Sequence, residues 1–151
     1  MGSPNTQLAL LRVLGQLRGL QWSHWNSHWK VHGDSQYGDH LLFERLYTPV
    51  SEEIDTLGEK ITSLYGPLVI TDLGTLEETT RFLSLYPSKD SGPTDLYERA
   101  LDLELHFQRS LAQTYQLFKF QKEMTLGLDD FLMSVANSHE TSEYLLRQRL
   151  R

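Results

Sequence analysis

The sequence contains no cysteine, and this absence removes several kinds of chemistry at once. Without thiols the chain has no disulfide, no cysteine nucleophile and no zinc–thiolate site. A bound metal ion would have to be held by histidine and carboxylate side chains. That donor set suits iron, manganese or zinc.

Basic residues are also few, because 14 lysines and arginines stand against 20 acidic residues, for a formal net charge of −6. A chain with this balance is not drawn broadly to a nucleic-acid backbone. No apolar run approaches the roughly 18 residues of a membrane span, and no basic-then-apolar leader pattern opens the chain. We therefore expect a cytoplasmic protein without a membrane partner.

What the sequence does contain is helical periodicity along nearly its whole length. The 151 residues fit one globular domain, with 39% apolar and 23% charged residues. Apolar residues that recur every three to four positions predict four long helices. The predicted helices run from Thr6 to about His32, from about Tyr37 to Leu64, from near Asp95, and from about Leu128.

Three features divide these helices. The stretch Gly33 to Gly38 ends the first helix, and Pro49 predicts a kink or local loosening inside the second. The long connection over residues 66–94 contains Thr75 and Glu78, a capping box that predicts a short extra helix. Two helices, a long crossover and two more helices predict an all-α, ferritin-like four-helix bundle that covers residues 1–151 as one domain.

The second helix carries polar candidates on a face beside its apolar stripe, namely His40, Glu44, Asp55 and Glu59. His40 and Asp55 are 15 residues apart, or roughly 22 Å along a helix, so one ion cannot reach both within one chain. In an antiparallel pair of chains, a two-fold axis would bring His40 of one opposite Asp55 of the other. His28 can return beside His40 through the short turn. An acidic pair at i,i+4 is also the ordinary composition of a solvated helix face, so this reading stays a hypothesis.

The other histidines leave further alternatives open. His24, His28 and His32 are spaced i, i+4, i+8 and could form a metal stripe within one chain. His106 and His139 lie on the third and fourth helices, but neither belongs to a Glu-x-x-His motif, so we expect packing or hydrogen-bonding roles for them.

At this point the segment "HWKVHGDSQYGDHLLFERLYTPVSEEIDTLGEKI" resembles the Dps proteins, the dodecameric mini-ferritins. The resemblance lies in a His-Trp pair before a glycine, a second histidine twelve residues later, and Asp-x-x-x-Glu fifteen residues after that. The short helix in the crossover and the segment "LDDFLMSVANSHETSEYLL" extend the resemblance along the chain.

The resemblance implies a hollow dodecamer built from two-fold dimers. It implies oxidation of Fe(II), with hydrogen peroxide as the expected oxidant, and storage of a ferric mineral in a way that protects against oxidative damage. The family's ferroxidase ligands correspond to His28 and His40 of one subunit, with Asp55 and Glu59 of its two-fold partner. Glu44 matches a position that can help to hold a second iron, so the site is mono-iron or di-iron.

The resemblance also assigns roles outside this ligand set. Trp29 matches a tryptophan beside the site, as a place for an oxidising equivalent or as a buried packing anchor. Asp130 matches an acidic position at a three-fold pore that would draw Fe(II) inward, although acids at a helix N-terminus are also favoured by the helix dipole.

Two departures from the family bear on function. Many relatives bind DNA through a lysine-rich tail, but "MGSPNTQLALLR" has no lysine, so we expect no DNA binding through the N-terminal segment. Asp39 stands where an apolar residue usually precedes the second histidine. The alternative reading is a structural or DNA-protecting cage whose metal site is vestigial or holds zinc.

Overall fold

A computed structural model describes residues 2–89 and 91–151 of the chain. In chain order, the helices are α1 (Pro4–Lys30), α2 (Gln36–Tyr47), α3 (Val50–Tyr65), α4 (Asp72–Ser84), α5 (Pro93–Phe120) and α6 (Leu126–Leu150). α1, the α2–α3 pair, α5 and α6 form the bundle, and α4 lies in the long crossover against α1. The predicted ferritin-like bundle with a short crossover helix is confirmed. None of the helices in the described part of the chain is long and apolar enough to cross a membrane.

The core is built from the apolar stripes that the periodicity predicts. Its main cluster brings together buried side chains of every helix except α2, among them Leu17, Leu57, Leu103 and Leu132. A second cluster at one end of the bundle packs Phe43 of α2 against residues of α5 and α6. Burying a leucine of this kind contributes about 1.5–3 kcal/mol, so the stripes supply the main driving force for the bundle.

The predicted second helix is two helices in the structure, so its prediction as one continuous element is wrong. The interruption lies at Thr48 and Pro49, as the proline predicted, because Pro49 has no N–H to donate to the preceding turn. Both residues keep right-handed helical backbone angles, so α3 follows directly on α2.

The crossover helix begins earlier than its predicted capping box. Thr71, not Thr75, caps it, since the Thr71 hydroxyl accepts a hydrogen bond from the N–H of Gly74 at 3.1 Å. α4 then packs closely on α1, because a Cβ at Gly15 would lie 2.4 Å from the Cβ of Glu78. Thr79 completes this contact by donating to the carbonyl oxygen of Gly15 at 2.8 Å.

Candidate metal centre

His28 and His40 meet where the end of α1 turns back into α2. Their rings are stacked, with centroids 3.5 Å apart and planes inclined by 25°. His28 Nδ1 lies 2.8 Å from the carbonyl oxygen of His40, and His40 Nδ1 lies 3.0 Å from the carbonyl oxygen of His28. The two histidines that the sequence places on either side of a turn therefore form one reciprocal pair.

These hydrogen bonds determine which ring nitrogens carry protons. A carbonyl oxygen can only accept, so Nδ1 of each ring must be the donor. In a neutral imidazole Nε2 then carries the free lone pair, and neither Nε2 atom has a hydrogen-bond partner among the described residues. An N–H donated to a backbone carbonyl is the arrangement that orients a metal-binding histidine. Two nitrogens that each bind the same ion at about 2.1 Å lie within about 4.2 Å of each other. The 3.5 Å distance between the two ring centroids is compatible with that limit.

Aromatic rings cover one side of this pair. Tyr47 meets His28 edge-on at 5.4 Å between centroids, and Trp25 stacks on Tyr47 at 4.8 Å. Trp29 contacts Trp25 at 5.8 Å, but 66% of it is exposed in the single chain. Its reading as a buried packing anchor is therefore wrong for the single chain, and the aromatic ring beside His28 belongs to Tyr47. Burial and the charge of Glu44 raise the pKa of Tyr47, so its phenol stays protonated at neutral pH.

The predicted carboxylates lie elsewhere on the same chain. Asp55 and Glu59 are exposed on α3 and line a shallow groove of about 770 Å³ between α1 and α3. Glu44 is exposed on α2. Within residues 2–89 and 91–151 no group of three or more histidine or acidic side chains could hold a metal ion in one chain. The histidine pair is thus assembled, and the carboxylates remain apart from it.

The single-chain stripe of three histidines is not assembled either. Nε2 of His24 lies 2.8 Å from Oε1 of Glu104, deep in the bundle, whereas His28 pairs with His40. His32 is exposed, and its Nδ1 donates to the carbonyl oxygen of Lys30 at 3.2 Å. The three side chains therefore lie in three different environments.

Asp130, the acidic residue that the resemblance assigns to a pore, and two acidic residues near it have different surroundings in the single chain. Asp130 is exposed near the start of α6. Its neighbour Asp129 pairs with Lys119 at 3.7 Å. Glu123 accepts from the backbone N–H of Ser3 at 2.6 Å, so it holds the start of α1.

Asp39 has a role that the sequence did not reveal. It is 1% exposed, and its carboxylate accepts hydrogen bonds from Ser35 at 2.7 Å, Tyr97 at 2.9 Å and Arg149 at 2.7 Å. Burial alone would raise its pKa, but the bonds from Arg149, Ser35 and Tyr97 lower it. Asp39 therefore holds α2 on α5 and α6 directly beside His40. The available signal was its spacing, four residues before the buried Phe43.

Glu104 is the second group that the sequence reading missed. It is fully buried in α5, and its two carboxylate oxygens lie 2.8 Å from Nε2 of His24 and 2.6 Å from Nδ1 of His139. The other nitrogen of His139 lies 3.1 Å from Glu53 Oε1. Four side chains from α1, α3, α5 and α6 thus form one network, which we call the core network. The expected hydrogen-bonding role of His139 is confirmed.

The core network holds opposite charges inside the bundle. Burial alone would raise the pKa of Glu104, but the charge and hydrogen bond of His139, with the bond from His24, lower it to about 2. Burial would likewise lower the pKa of His139, but the charge of Glu104 and the bonds to Glu104 and Glu53 raise it to about 10. His139 is therefore an imidazolium that donates from both nitrogens, and Glu104 is ionised.

Known proteins resemble this chain in part of its sequence and in its whole fold. No family model matches the chain. A stretch of 55 residues, 36% of this chain, is 42% identical to a DNA protection during starvation protein of Brevibacillus brevis. That stretch spans 37% of the relative's own length, so the sequence match covers about a third of each protein.

The structural matches extend over the whole chain. A Dps protein from Bacillus brevis superposes with a TM-score of 0.84 at 22% identity, covering 100% of both chains. Dps from Staphylococcus aureus gives 0.83 at 18% identity, covering 99% of this chain and 97% of that one. Dps from Thermosynechococcus elongatus gives 0.80 at 18% identity, covering 97% and 90%. The resemblance read from the sequence motif is thereby confirmed: the chain has the Dps fold along its length and contains a segment similar in sequence to a Dps protein.

Proposed function

We propose that the chain is a mini-ferritin subunit that oxidises Fe(II) at a site shared between two subunits and stores the ferric product in a hollow cage, with twelve subunits expected from the Dps resemblance. The observation that carries the proposal is the His28–His40 pair. Two rings held by each other's backbone carbonyls present two free Nε2 lone pairs, and within residues 2–89 and 91–151 no carboxylate of the same chain completes the ligand set. Asp55 and Glu59 of a two-fold partner supply the missing oxygen donors.

The groove between α1 and α3 supports the two-chain arrangement. Small side chains line it beside Asp55 and Glu59, and a Cβ placed on Gly58 would meet nothing within 4 Å. The surface is therefore shallow enough for a second α3 to approach closely. An isologous contact of this kind occurs twice per dimer and creates two equivalent sites.

The mixed nitrogen and oxygen set suits Fe(II), because it binds the ion while leaving positions open for water or oxidant. Each ferrous ion loses one electron. Hydrogen peroxide takes two, its O–O bond breaks, and with two protons it yields water. Two ions per peroxide balance the reaction, and we propose that Glu44, four residues after His40, helps to hold the second. Consuming both reagents together limits hydroxyl-radical formation.

The aromatic rings beside His28 extend this proposal. Tyr47, Trp25 and Trp29 form a continuous series of ring contacts that leads from His28 to the surface. We propose that Trp29 accepts an oxidising equivalent from the site. The equivalent would reach Trp29 through this series of ring contacts, and not through a direct contact with the histidines.

The assay for this function is Fe(II) oxidation followed by ferric absorbance after peroxide is added to anaerobically loaded protein. We expect the wild-type protein to exceed buffer. His40→Ala should be slower than wild type by at least about 10- to 100-fold, since loss of even an outer partner of a metal ligand costs that much. His32→Ala is the matched control, because His32 is an exposed histidine of the same turn. Oxidation no faster than in buffer would favour the alternative of a structural or zinc-holding cage.

The two-fold contact has a separate test in Gly58. Gly58→Trp should prevent dimer and cage assembly while leaving the subunit helical, because the added ring projects from α3 into open space within one chain. Gly58→Ala should assemble and be more stable by up to about 1 kcal/mol, the helix-propensity difference. Sedimentation velocity with far-ultraviolet circular dichroism measures both effects.

Glu98→Trp, at an exposed position of α5, controls for the bulk of the indole. A Gly58→Trp protein that still assembles to the wild-type mass would show that this face of α3 is not the contact.

A further inference from the structure

A groove of about 690 Å³ lies between α1, α4 and α5, on residues that the proposed iron site does not use. Its wall is continuous. Glu78 packs against Gly15 beside Gln16, Arg81 pairs with Glu78, and the Phe82 ring lies 5.5 Å from the ring of His106 on α5. We call this feature the arginine groove. Its volume is within the roughly 300–1,000 Å³ of small-molecule sites.

The charge of the arginine groove is opposite to that of the protein. Arg12 and Arg81 both line it, and Glu78 is its one acidic lining residue within the described chain. Arg12 is exposed and has no ion-pair partner among the described residues. Arg109 adds a further positive charge beside the groove, where it donates to the hydroxyl of Tyr86 at 3.3 Å. A net positive recess in a chain of net charge −6 attracts an anion.

The groove also presents polar groups without protein partners. Gln16 is 8% exposed, and its side-chain carbonyl oxygen has no hydrogen-bond partner among the residues that the structure describes. A buried polar atom left in this way is costly, and a 180° turn of the amide would present its NH₂ group instead. Gln16 therefore has unused hydrogen-bonding capacity in the wall of the groove.

His106 contributes an imidazole ring to the groove. The Tyr86 hydroxyl accepts from Arg109 at 3.3 Å and lies 3.1 Å from Nδ1 of His106. Burial and the charge of Arg109 lower the pKa of His106, which is therefore neutral at pH 7. In the tautomer whose Nδ1 accepts from the Tyr86 O–H, the proton of His106 lies on Nε2, which has no hydrogen-bond partner in the described chain.

We propose that the arginine groove binds a small organic anion. Its carboxylate or phosphate group is held by Arg12, Arg81 and the Nε2–H of His106, and its apolar body packs on Phe82 and Leu117. Guanidinium groups bind both carboxylates and phosphates. The expected ligand is therefore either of these oxyanions attached to an apolar ring. The proposal does not depend on iron oxidation.

Calorimetric titration of the assembled protein tests it with three probes, namely benzoate, phenyl phosphate and uncharged benzamide. We expect saturable binding of at least one anion and none of benzamide. A bound anion raises the pKa of His106, so binding at pH 7 takes up protons. The measured heat should therefore change with the ionisation enthalpy of the buffer, and His106→Gln should remove that dependence.

Arg12→Gln and Arg81→Gln should each weaken binding by about tenfold, the loss expected for one charge-assisted hydrogen bond. Arg147→Gln, the same charge change at an exposed site on α6, should leave it unchanged. The proposal is overturned if neither anion binds up to about 10 mM, if benzamide binds equally well, or if Arg147→Gln has the same effect as the groove variants. Comparing benzoate with phenyl phosphate identifies which oxyanion is preferred.

Discussion

Co-assembly of His40→Ala chains with Asp55→Ala chains is expected to restore Fe(II) oxidation that neither variant shows alone. In a mixed two-fold dimer, one site loses both its histidine and its carboxylate. The other site takes His40 from the Asp55→Ala chain and Asp55 from the His40→Ala chain, so it is intact. Random pairing makes half of the dimers mixed, and about a quarter of all sites should then be wild type.

The measurement is the initial rate of ferric absorbance after the two variants are mixed in equal amounts, unfolded and refolded together. The expected rate is about a quarter of that of wild-type protein treated in the same way. The two variants refolded separately and then combined provide the control and should stay inactive. Equal rates in the mixed and separate samples would mean that the ligands belong to one chain, or that Asp55 is not one of them.

Replacing Glu104 should have the largest effect on stability. In Glu104→Gln the imidazolium of His139 loses the nearer of its two carboxylate partners and keeps only Glu53. Removing one partner of a buried pair costs about 3–5 kcal/mol of unfolding free energy. Urea unfolding of the assembled protein measures the loss. Glu98→Gln, the same change at an exposed position of α5, should alter stability by less than about 0.5 kcal/mol.

The stability difference between wild type and Glu104→Gln should also depend on pH. The pKa of Glu104 is lowered to about 2, so its contribution is present above its ordinary value of 4.5 and is lost as the pH falls towards 2. The pKa of His139 is raised to about 10, so its contribution is complete below 6.5 and is lost as the pH rises towards 10. The difference should therefore be greatest between about pH 4.5 and 6.5. A difference that does not vary with pH would show that the core network acts only through packing.

The sequence by itself determined the helical bundle, because periodicity and turn residues act locally. The interruption at Pro49 follows from a missing N–H in that residue alone. The spacing of His28, His40, Asp55 and Glu59 also required no coordinates, since helix rise already separates His40 from Asp55 by more than one ion can bridge. The two-chain ligand set was therefore available as a hypothesis from the sequence.

Only the tertiary structure decided which polar groups meet inside the bundle. Glu104 and Asp39 each lie at stripe spacing, Glu104 four residues after Ala100 and Asp39 four before Phe43. Their charged partners come from other helices, as far apart in sequence as Asp39 and Arg149. Spacing predicts that a side chain faces inward, but a buried charge is tolerated only where another element supplies its counter-charge.

The same limit applies to His28 and His40. Their spacing predicts neighbours across a turn, whereas the packing of α1 on α2 sets the reciprocal hydrogen bonds that leave Nε2 free on each ring. The local sequence pattern determined which residues are available as metal ligands and as buried polar groups. The choice of partner, proton position and charge depended on contacts between helices, because these energies arise only when distant segments are brought together and water is excluded.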